Sequence, residues 1–278
     1  MSTLLSNQPY EHLAPQVLAD LGLTTAAAHL DQAAQQAAAE QWSYTHFLGY
    51  LLAGEVAERQ RKTLILTLKF ANLPYHKTLA DFDFAAQPGL DRRLIDELAT
   101  GRFLSEGRNI IFLGPPGVGK THLAISLLLR TAELGHRVYF TSALDLARRL
   151  SKAVAENRLH RQLAVFMQPK LLVLDEVGYL SLEPVHASLL FQVITKRYEK
   201  QQPLILTSNK AFGEWGQVFG GDAVLASATL DRLLHRATVL HIRGDSYRLR
   251  ERRQAGVVPA APAPAPAVPD LPPALTVT

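Results

Sequence analysis

NIIFLGPPGVGKTHLAISLL, residues 109–128, is the stretch that decides the fold of this chain. It reads as a short apolar strand, a glycine-rich turn and an apolar helix. In the turn, Gly114, Gly119, Lys120 and Thr121 match the spacing G-x-x-x-x-G-K-[ST]. Glycines allow backbone N–H groups to surround phosphate oxygens, and the N-terminus of the following helix attracts anions. The strand-to-helix context therefore predicts a phosphate-binding loop, or P-loop.

This P-loop predicts ATP and Mg²⁺ as ligands. Lys120 would place its charge on the β- and γ-phosphates, and the hydroxyl of Thr121 would bind Mg²⁺. The residues expected to bind the nucleotide are Gly114, Pro115, Pro116, Gly117, Val118, Gly119, Lys120, Thr121 and His122.

Apolar runs that alternate with helical patterns predict an α/β fold. Strand-like runs lie at 109–113, 137–140, 171–174, 203–207 and 238–242, and helices are predicted at 121–134, 144–167 and 185–201. Short apolar strands separated by helices form a parallel sheet that is covered on both faces. The sequence thus predicts a doubly covered parallel sheet around the P-loop.

The composition excludes several classes of protein. The 278 residues include no cysteine, which excludes a disulfide scaffold and a cysteine metal site. The first residues lack the basic and apolar regions of a secretory signal, and no apolar run approaches the roughly 18 residues that cross a bilayer. The net charge of +4 is mild and does not by itself indicate nucleic-acid binding. We expect a soluble, cytoplasmic protein with no membrane partner.

Changes in pattern divide the chain into four regions. Residues 1–74 predict a helical N-terminal domain that ends at a proline, and residues 75–108 predict a connector. Residues 109–254 hold the predicted sheet. Residues 255–278 contain seven prolines, a composition that favours extended polyproline II and cannot bury a core, so this tail is predicted to be disordered.

Two acids follow the apolar run LLVL at the end of the third predicted strand. Ligands in parallel sheets lie beyond the carboxyl ends of the strands. Asp175 is therefore predicted to hold Mg²⁺, and Glu176 to orient and deprotonate an attacking water. A nucleotide switch can do without the second acid, so its presence favours hydrolysis of ATP.

Later motifs carry polar groups whose roles depend on the fold. Asn209 ends LILTSN, and on a strand beside the P-loop strand it would bond the attacking water or the γ-phosphate. The run LDRLLHRA, residues 230–237, predicts a short helix, which in isolation is typical of a solvated basic face. The segment 144–166 also reads as an amphipathic helix, and its basic residues are Arg148, Arg149, Lys152, Arg158 and Arg161.

Residues 13–251 resemble the IstB-like ATP-binding proteins, which are AAA+ helpers of insertion-sequence transposition and are similar, more distantly, to DnaC-like helicase loaders. The motifs that carry the resemblance are KTLADFDF (77–84), QPGLDRRLIDELATGRF (87–103), NIIFLGPPGVGKTHLA (109–124), LLVLDEVGYL (171–180), LLFQVITKRYE (189–199), LILTSNKAFGEWGQVFG (204–220), LDRLLH (230–235) and RGDSYRLRE (243–251). The proline-rich tail lies outside the family pattern.

The resemblance implies an AAA+ core with strand order 5-1-4-3-2 and an all-helical N-terminal domain. The usual C-terminal helical lid is not expected, because the sequence ends too soon for it. It also implies a homo-oligomer, a ring or a spiral, that assembles on duplex DNA with ATP at the subunit interfaces. Arg232 matches the arginine finger that reaches a neighbour's γ-phosphate, and Arg248 matches a second sensor of the nucleotide. In initiator-type AAA+ proteins the region after the second strand faces the central pore, which implies contacts with DNA phosphates by Arg148, Arg149, Lys152 and Arg158.

Three hypotheses of function remain open at this point. The first is an ATP-dependent DNA-binding ATPase that assists a transposase. The second keeps the same motor and makes it a DnaC-like loader of a replicative helicase. The third is a small-molecule kinase on a P-loop scaffold, against which the DEVGYL, TSN and LDRLLH motifs argue.

Overall fold

Five apolar runs of the chain pair into a single parallel sheet. The computed structural model describes residues 10–244 together with 246 and 247. The strands in this part of the chain are β1 Asn109–Leu113, β2 Val138–Ser142, β3 Leu171–Val177, β4 Leu204–Ser208 and β5 Ala237–His241. They lie in the order β2-β3-β4-β1-β5, and each neighbouring pair is parallel. The predicted order 5-1-4-3-2 is therefore confirmed.

Helices cover both faces of this sheet. The helices of the described part are α1 Tyr10–Asp20, α2 Thr24–Ala39, α3 Tyr44–Phe70, α4 Arg92–Ala99, α5 Arg102–Glu106, α6 Lys120–Glu133, α7 Ala143–Ala155, α8 Leu159–Met167, α9 Pro184–Glu199, α10 Trp215–Val218 and α11 Ala223–Leu234. Successive side chains of β1 point to opposite faces. Ile110 and Phe112 join the core that contains α6, while Ile111 and Leu113 join the core that contains α7 and α9. Burial on both faces explains why β1 is apolar without alternation.

Two predicted helices differ from the structure. The helix predicted over 144–167 is interrupted, because α7 ends at Ala155 and α8 begins at Leu159. Asn157 lies between them with a φ of 53°, in the left-handed region that asparagine tolerates. The helix predicted at 230–237 is instead the end of the longer α11, so His235 and Arg236 lie beyond its last residue.

The three N-terminal helices enclose a small apolar core of their own. Ala26, Ala33 and Leu51 are buried there. The carboxylate of Glu55 on α3 accepts hydrogen bonds from the N–H groups of Thr25 and Ala26 at 2.8 and 3.1 Å, and these bonds satisfy the first turn of α2. A side chain from the neighbouring helix therefore caps α2.

The end of α3 contacts the core that contains α6. The N–H of Phe140 on β2 donates to the carbonyl of Ala71 at 2.8 Å, and the amide of Asn72 donates to the carbonyl of Phe140 at 2.9 Å.

The division of the chain at residues 74 and 108 stays a prediction. Residues 1–9 and the proline-rich tail lie outside the described residues. None of the described helices is long and apolar enough to cross a membrane.

A buried arginine on α9 ties together the amino ends of β3 and β4. Arg197 is fully buried, and its guanidinium donates to four backbone carbonyls at 2.7–3.1 Å, which belong to Phe166, Pro169, Lys170 and Pro203. Burial lowers the pKa of Arg197 to about 9, so the side chain stays protonated at neutral pH. These bonds satisfy a carbonyl in the last turn of α8 and three carbonyls of the loops that precede the two strands.

We expect Arg197→Met to destabilise the protein, because the methionine would leave those carbonyls buried without a donor. Each unsatisfied buried polar group costs about 1–3 kcal/mol, so a total loss of roughly 3 kcal/mol or more is expected. For a protein of this size that loss corresponds to a fall in Tm of about 6–12 °C. Thermal unfolding followed by circular dichroism would measure it.

The matched control is Lys196→Met, which removes a cation from the adjacent, less buried position on α9. Its Tm should stay close to that of the unchanged protein. Equal melting temperatures for the two variants would show that the buried bonds of Arg197 contribute little.

Candidate functional site

The loop between β1 and α6 is enclosed by segments from distant parts of the chain. Gly119 has a φ of 99°, and a Cβ at this position would lie 2.6 Å from the ring of Phe82. On the other side, the N–H of Tyr247 donates to the carbonyl of Gly117 at 3.0 Å. Only glycine satisfies both the positive φ and the close approach of Phe82 at 119.

Lys120 begins α6 and extends its side chain back across the loop. Its Nζ donates to the carbonyls of Gly114 and Pro115 at 2.8 and 2.7 Å. The first turn of α6 contains no acidic residue, so the positive N-terminus of the helix is not neutralised within it. The loop thus combines an ammonium group with the N-terminal N–H groups of a helix, which is the chemistry that binds phosphates.

A cavity of about 360 Å³ opens beside this loop. Its other wall is the segment 75–87, which the sequence indicated only as a connector. His122 Nε2 lies 2.9 Å from the carbonyl of Thr78, and its ring packs edge-to-face on Phe82 at 5.2 Å between centroids. The N–H and hydroxyl of Thr78 donate to Asp81, which lowers the pKa of that carboxyl. Tyr247 also lines the cavity.

The carboxylate of Asp175 connects the loop to the sheet. It is buried at the end of β3, and it accepts hydrogen bonds from the hydroxyl of Thr121 at 2.9 Å and from that of Thr207 at 2.5 Å. Carboxylate and hydroxyl oxygens beside a phosphate site are the ligands that Mg²⁺ takes in proteins. The structure therefore brings together Thr121 and Asp175, the two predicted Mg²⁺ ligands, and their oxygens fit this ion.

The neighbouring acid, Glu176, points elsewhere. Its side chain is exposed and its φ is 57°, in the left-handed region, where the pairing of β3 with β4 shifts register between Leu174 and Val177. The N–H of Glu176 donates to the hydroxyl of Thr207 at 2.9 Å. This irregularity within β3 separates the two acids, so that Asp175 is buried and Glu176 is exposed to solvent.

Asn209 lies at the same edge of the sheet, directly after β4. The pairing of Leu113 with Ser208 and a bond from the N–H of Gly114 to the carbonyl of Ser208 place this turn beside the P-loop. The side-chain oxygen of Asn209 is buried and has no hydrogen-bond partner within the described residues. A buried acceptor without a partner fits a ligand or water at that point.

Arg232 lies near the amino ends of the strands, on the side of the sheet opposite to the P-loop. Its guanidinium donates to the carbonyl of Ala228 at 2.8 Å and stacks 5.0 Å from the centroid of Phe191. The next residue, Leu233, accepts a bond of 2.9 Å from Asn109, which begins β1. The P-loop follows the other end of β1, about 13 Å away at the rise of a parallel strand. Arg232 is therefore not part of the P-loop site of its own chain.

The basic residues of α7 and α8 do not form one surface. Arg148 is exposed, but Arg149 is partly buried, donates to the hydroxyl of Tyr139 and stacks on the ring of Phe166 at 5.4 Å. Arg149 thus serves packing as well as charge. The turn after α7 pairs Arg158 with Glu156. A cavity of about 420 Å³ between the two helices is lined by Arg149, Lys152, Arg158 and Arg161, whereas Arg148 does not line it.

Several residues at the site belong to the quoted motifs but received no role from the sequence. Thr207, Thr78 and Tyr247 were not predicted as site residues, since a polar residue in a strand or loop does not by itself indicate what it contacts. The aromatic turn DFDF at 81–84 was visible, but its place against the P-loop was not. Arg248, expected as a second sensor, lies outside the described residues.

Comparisons with known proteins agree with this geometry. Residues 16–255 match the family described as IstB-like ATP binding protein. A relative from Geobacillus stearothermophilus, which carries the name of a putative ATP-binding protein of insertion sequence IS5376, is 50% identical over 79% of this chain and 87% of its own. The corresponding IS21 protein of Pseudomonas aeruginosa is 49% identical over 83% of this chain and 86% of its own.

Solved structures agree in fold. AMPPCP-bound DnaA from Aquifex aeolicus matches with a TM-score of 0.52 at 23% identity, over 67% of this chain and 55% of that chain. The crystal structure of DnaI matches with a TM-score of 0.51 at 20% identity, over 66% of this chain and 94% of that chain. At such identities the likeness concerns the fold.

We expect Lys120→Ala to weaken ATP binding, because the ammonium group at the mouth of the loop would be lost. A hydrogen bond to a charged group contributes about 1.5–3 kcal/mol, which corresponds to about 10- to 100-fold in affinity. Binding of a fluorescent ATP analogue would measure the change. Arg130→Ala, which removes an exposed cation from α6, should leave the affinity unaltered. An unchanged affinity for Lys120→Ala would contradict the assignment of the loop.

Proposed function

Because the chain belongs to the IstB-like ATP binding proteins, as its motifs predicted, we propose that it is an ATPase that assembles on DNA and assists a transposase in insertion-sequence transposition. The observation that carries the proposal is the juxtaposition of Thr121, Asp175 and Glu176 at one edge of an AAA+ sheet. The named relatives belong to insertion sequences, which supports transposition as the context.

The proposed binding step uses the loop and the cavity beside it. Backbone N–H groups from Gly117 to His122 and the ammonium of Lys120 bind the phosphates, and Lys120 exchanges its two carbonyl partners for phosphate oxygens. The base then occupies the cavity beside Phe82 and Tyr247. Thr121 and Asp175 would hold Mg²⁺, and the ion would supply positive charge that neutralises the phosphates.

The proposed chemical step uses the two residues that face the end of the phosphate chain. Glu176, exposed at the carboxyl edge of the sheet, accepts the proton of the attacking water. Asn209, whose buried side-chain oxygen has no partner within the described residues, fixes that water or the γ-phosphate. Asp175 can stay in place while Glu176 and Asn209 act, because the irregular backbone of β3 at Glu176 separates the two carboxylates.

A second chain completes each site in this proposal. Arg232 lies near the amino ends of the strands, away from its own P-loop, which supports a contact with the nucleotide of a neighbour. Such an arginine finger stabilises the charge that develops on the transferred phosphoryl group. In this proposal the oligomer is a ring or a spiral with ATP at its interfaces, and hydrolysis depends on assembly.

The DNA contact is proposed for the basic side chains on α7 and α8. Lys152 and Arg161 are exposed and line one cavity, with Arg158 at its rim. Contacts of this kind are made to phosphates and give affinity with little choice of sequence. Arg148 adds charge on α7, whereas Arg149 contributes less because it is bonded to Tyr139.

The test of the shared active site is complementation between two inactive variants. Arg232→Ala and Glu176→Gln should each bind ATP and each fail to hydrolyse it. A 1:1 mixture on DNA should regain roughly a quarter of normal turnover, since one interface in four pairs an intact Glu176 with an intact Arg232. Phosphate release would measure the recovered activity.

The control mixture combines Arg232→Ala with the double variant Arg232→Ala, Glu176→Gln. It contains no intact Arg232, so it should remain inactive. If co-assembled mixtures of the two single variants also stay inactive, the role of Arg232 in a neighbouring site is wrong.

We further expect Lys152→Glu with Arg161→Glu to weaken binding of duplex DNA and to flatten its dependence on salt. Each lost phosphate contact should reduce the slope of log affinity against log salt by about 0.9. Fluorescence anisotropy over a range of salt concentrations would measure both effects. The paired control, Arg93→Glu with Arg102→Glu, changes the same charge on α4 and α5 and should leave the slope unaltered. Equal slopes for the two double variants would place the DNA contact on another surface.

A further inference from the structure

One buried threonine contacts both acids of the site. Thr207 is on β4, next to β3 in the sheet, and it is 1% exposed. Its hydroxyl donates to the carboxylate of Asp175 at 2.5 Å. The same oxygen accepts the N–H of Glu176 at 2.9 Å. A hydroxyl has one proton and two lone pairs, so it can make both bonds at once.

These two bonds lie where the backbone departs from regular pairing. Glu176 has a φ of 57°, which is uncommon for a residue other than glycine, and β3 shifts its register against β4 at this point. A conformation of this kind persists only where neighbouring groups fix it. The hydroxyl of Thr207 fixes it by holding the N–H of Glu176, while it also restricts the rotation of the Asp175 carboxylate.

We propose that Thr207 is a positioning residue that couples the Mg²⁺-binding carboxylate of Asp175 to the irregular backbone of β3 at Glu176. The inference rests on the proposed ATPase function. Thr121 and Thr207 both donate to Oδ1 of Asp175, and Thr121 would release its bond to bind Mg²⁺ itself. Thr207 is then the partner that keeps the carboxylate directed at the ion, and any displacement of this carboxylate is transmitted through one oxygen atom to Glu176.

Thr207→Val removes the hydroxyl and keeps the shape of the side chain. Partners that orient metal ligands typically contribute about 10- to 100-fold to metal affinity or activity. The variant should therefore need at least about tenfold more Mg²⁺ to strengthen the binding of a non-hydrolysable ATP analogue. It should also lose at least about tenfold in kcat, with KM for ATP changed by less than about threefold. Its affinity for ATP without Mg²⁺ should be unaltered.

Thr207→Ser, which keeps the hydroxyl, should restore both the Mg²⁺ requirement and kcat to within about threefold of the unchanged protein. Thr131→Val is the matched control. Thr131 is equally buried, but within the described residues its hydroxyl donates to a carbonyl of its own helix, α6. Thermal unfolding of each variant identifies any that fails to fold. If Thr207→Val fails, Thr207→Ala removes the same hydroxyl without placing a methyl group against the carboxylate, and the same results are expected of it.

The outcomes separate this inference from the proposed function. Absence of ATP hydrolysis by the unchanged protein would refute the ATPase, while the Mg²⁺ titration with the analogue would still test the bond from Thr207 to Asp175. Normal hydrolysis and a normal Mg²⁺ requirement in Thr207→Val would overturn the positioning role and leave the ATPase intact. A loss shared equally by Thr131→Val, or one that Thr207→Ser does not restore, would also overturn it.

Discussion

Parallel pairing of β1 with β4, and of β4 with β3, is the constraint on which the rest of the site depends. Backbone hydrogen bonds between parallel strands bring their carboxyl ends to one edge of the sheet. The P-loop, Asp175 and Asn209 each follow or end one of these strands. The site therefore assembles from three segments that are far apart in the chain. The hydrogen bonds that Asp175 accepts from the hydroxyls of Thr121 and Thr207 connect them.

The carboxyl ends and the amino ends of the strands have different roles. At the carboxyl edge, the segment around Phe82 and the residue Tyr247 close over the P-loop and form a cavity beside it. At the amino edge, Asn109 bonds both β4 and the end of α11, and Arg197 satisfies four carbonyls. The bond from Asn109 to the end of α11 holds Arg232 away from its own P-loop. The architecture thus separates the residues that bind a nucleotide from the residue proposed to act on a neighbour's nucleotide.

The fold and much of the site could be predicted because their signals are local. A glycine-rich turn with this spacing between an apolar strand and an apolar helix is specific to phosphate-binding loops, and the five strands were found within a few residues. The helix over 144–167 was predicted as continuous because its apolar spacing continues through the break, and a single left-handed residue, Asn157, interrupts it. The family resemblance implied a DNA contact for Arg149, whereas its contacts with Tyr139 and Phe166 appear only in three dimensions.

Side-chain periodicity and the spacing of near neighbours were enough to predict the order of strands and helices along the chain, the P-loop and the pair of acids, and the resemblance of several motifs indicated the family. Which polar groups meet is a property of the folded chain alone: Thr207 contacts both acids, Phe82 packs on Gly119, and Arg232 lies at the far edge of the sheet. The reason is that hydrogen bonds and close packing act over a few ångströms between residues that are from 31 to 124 positions apart in the chain, so no local pattern records them.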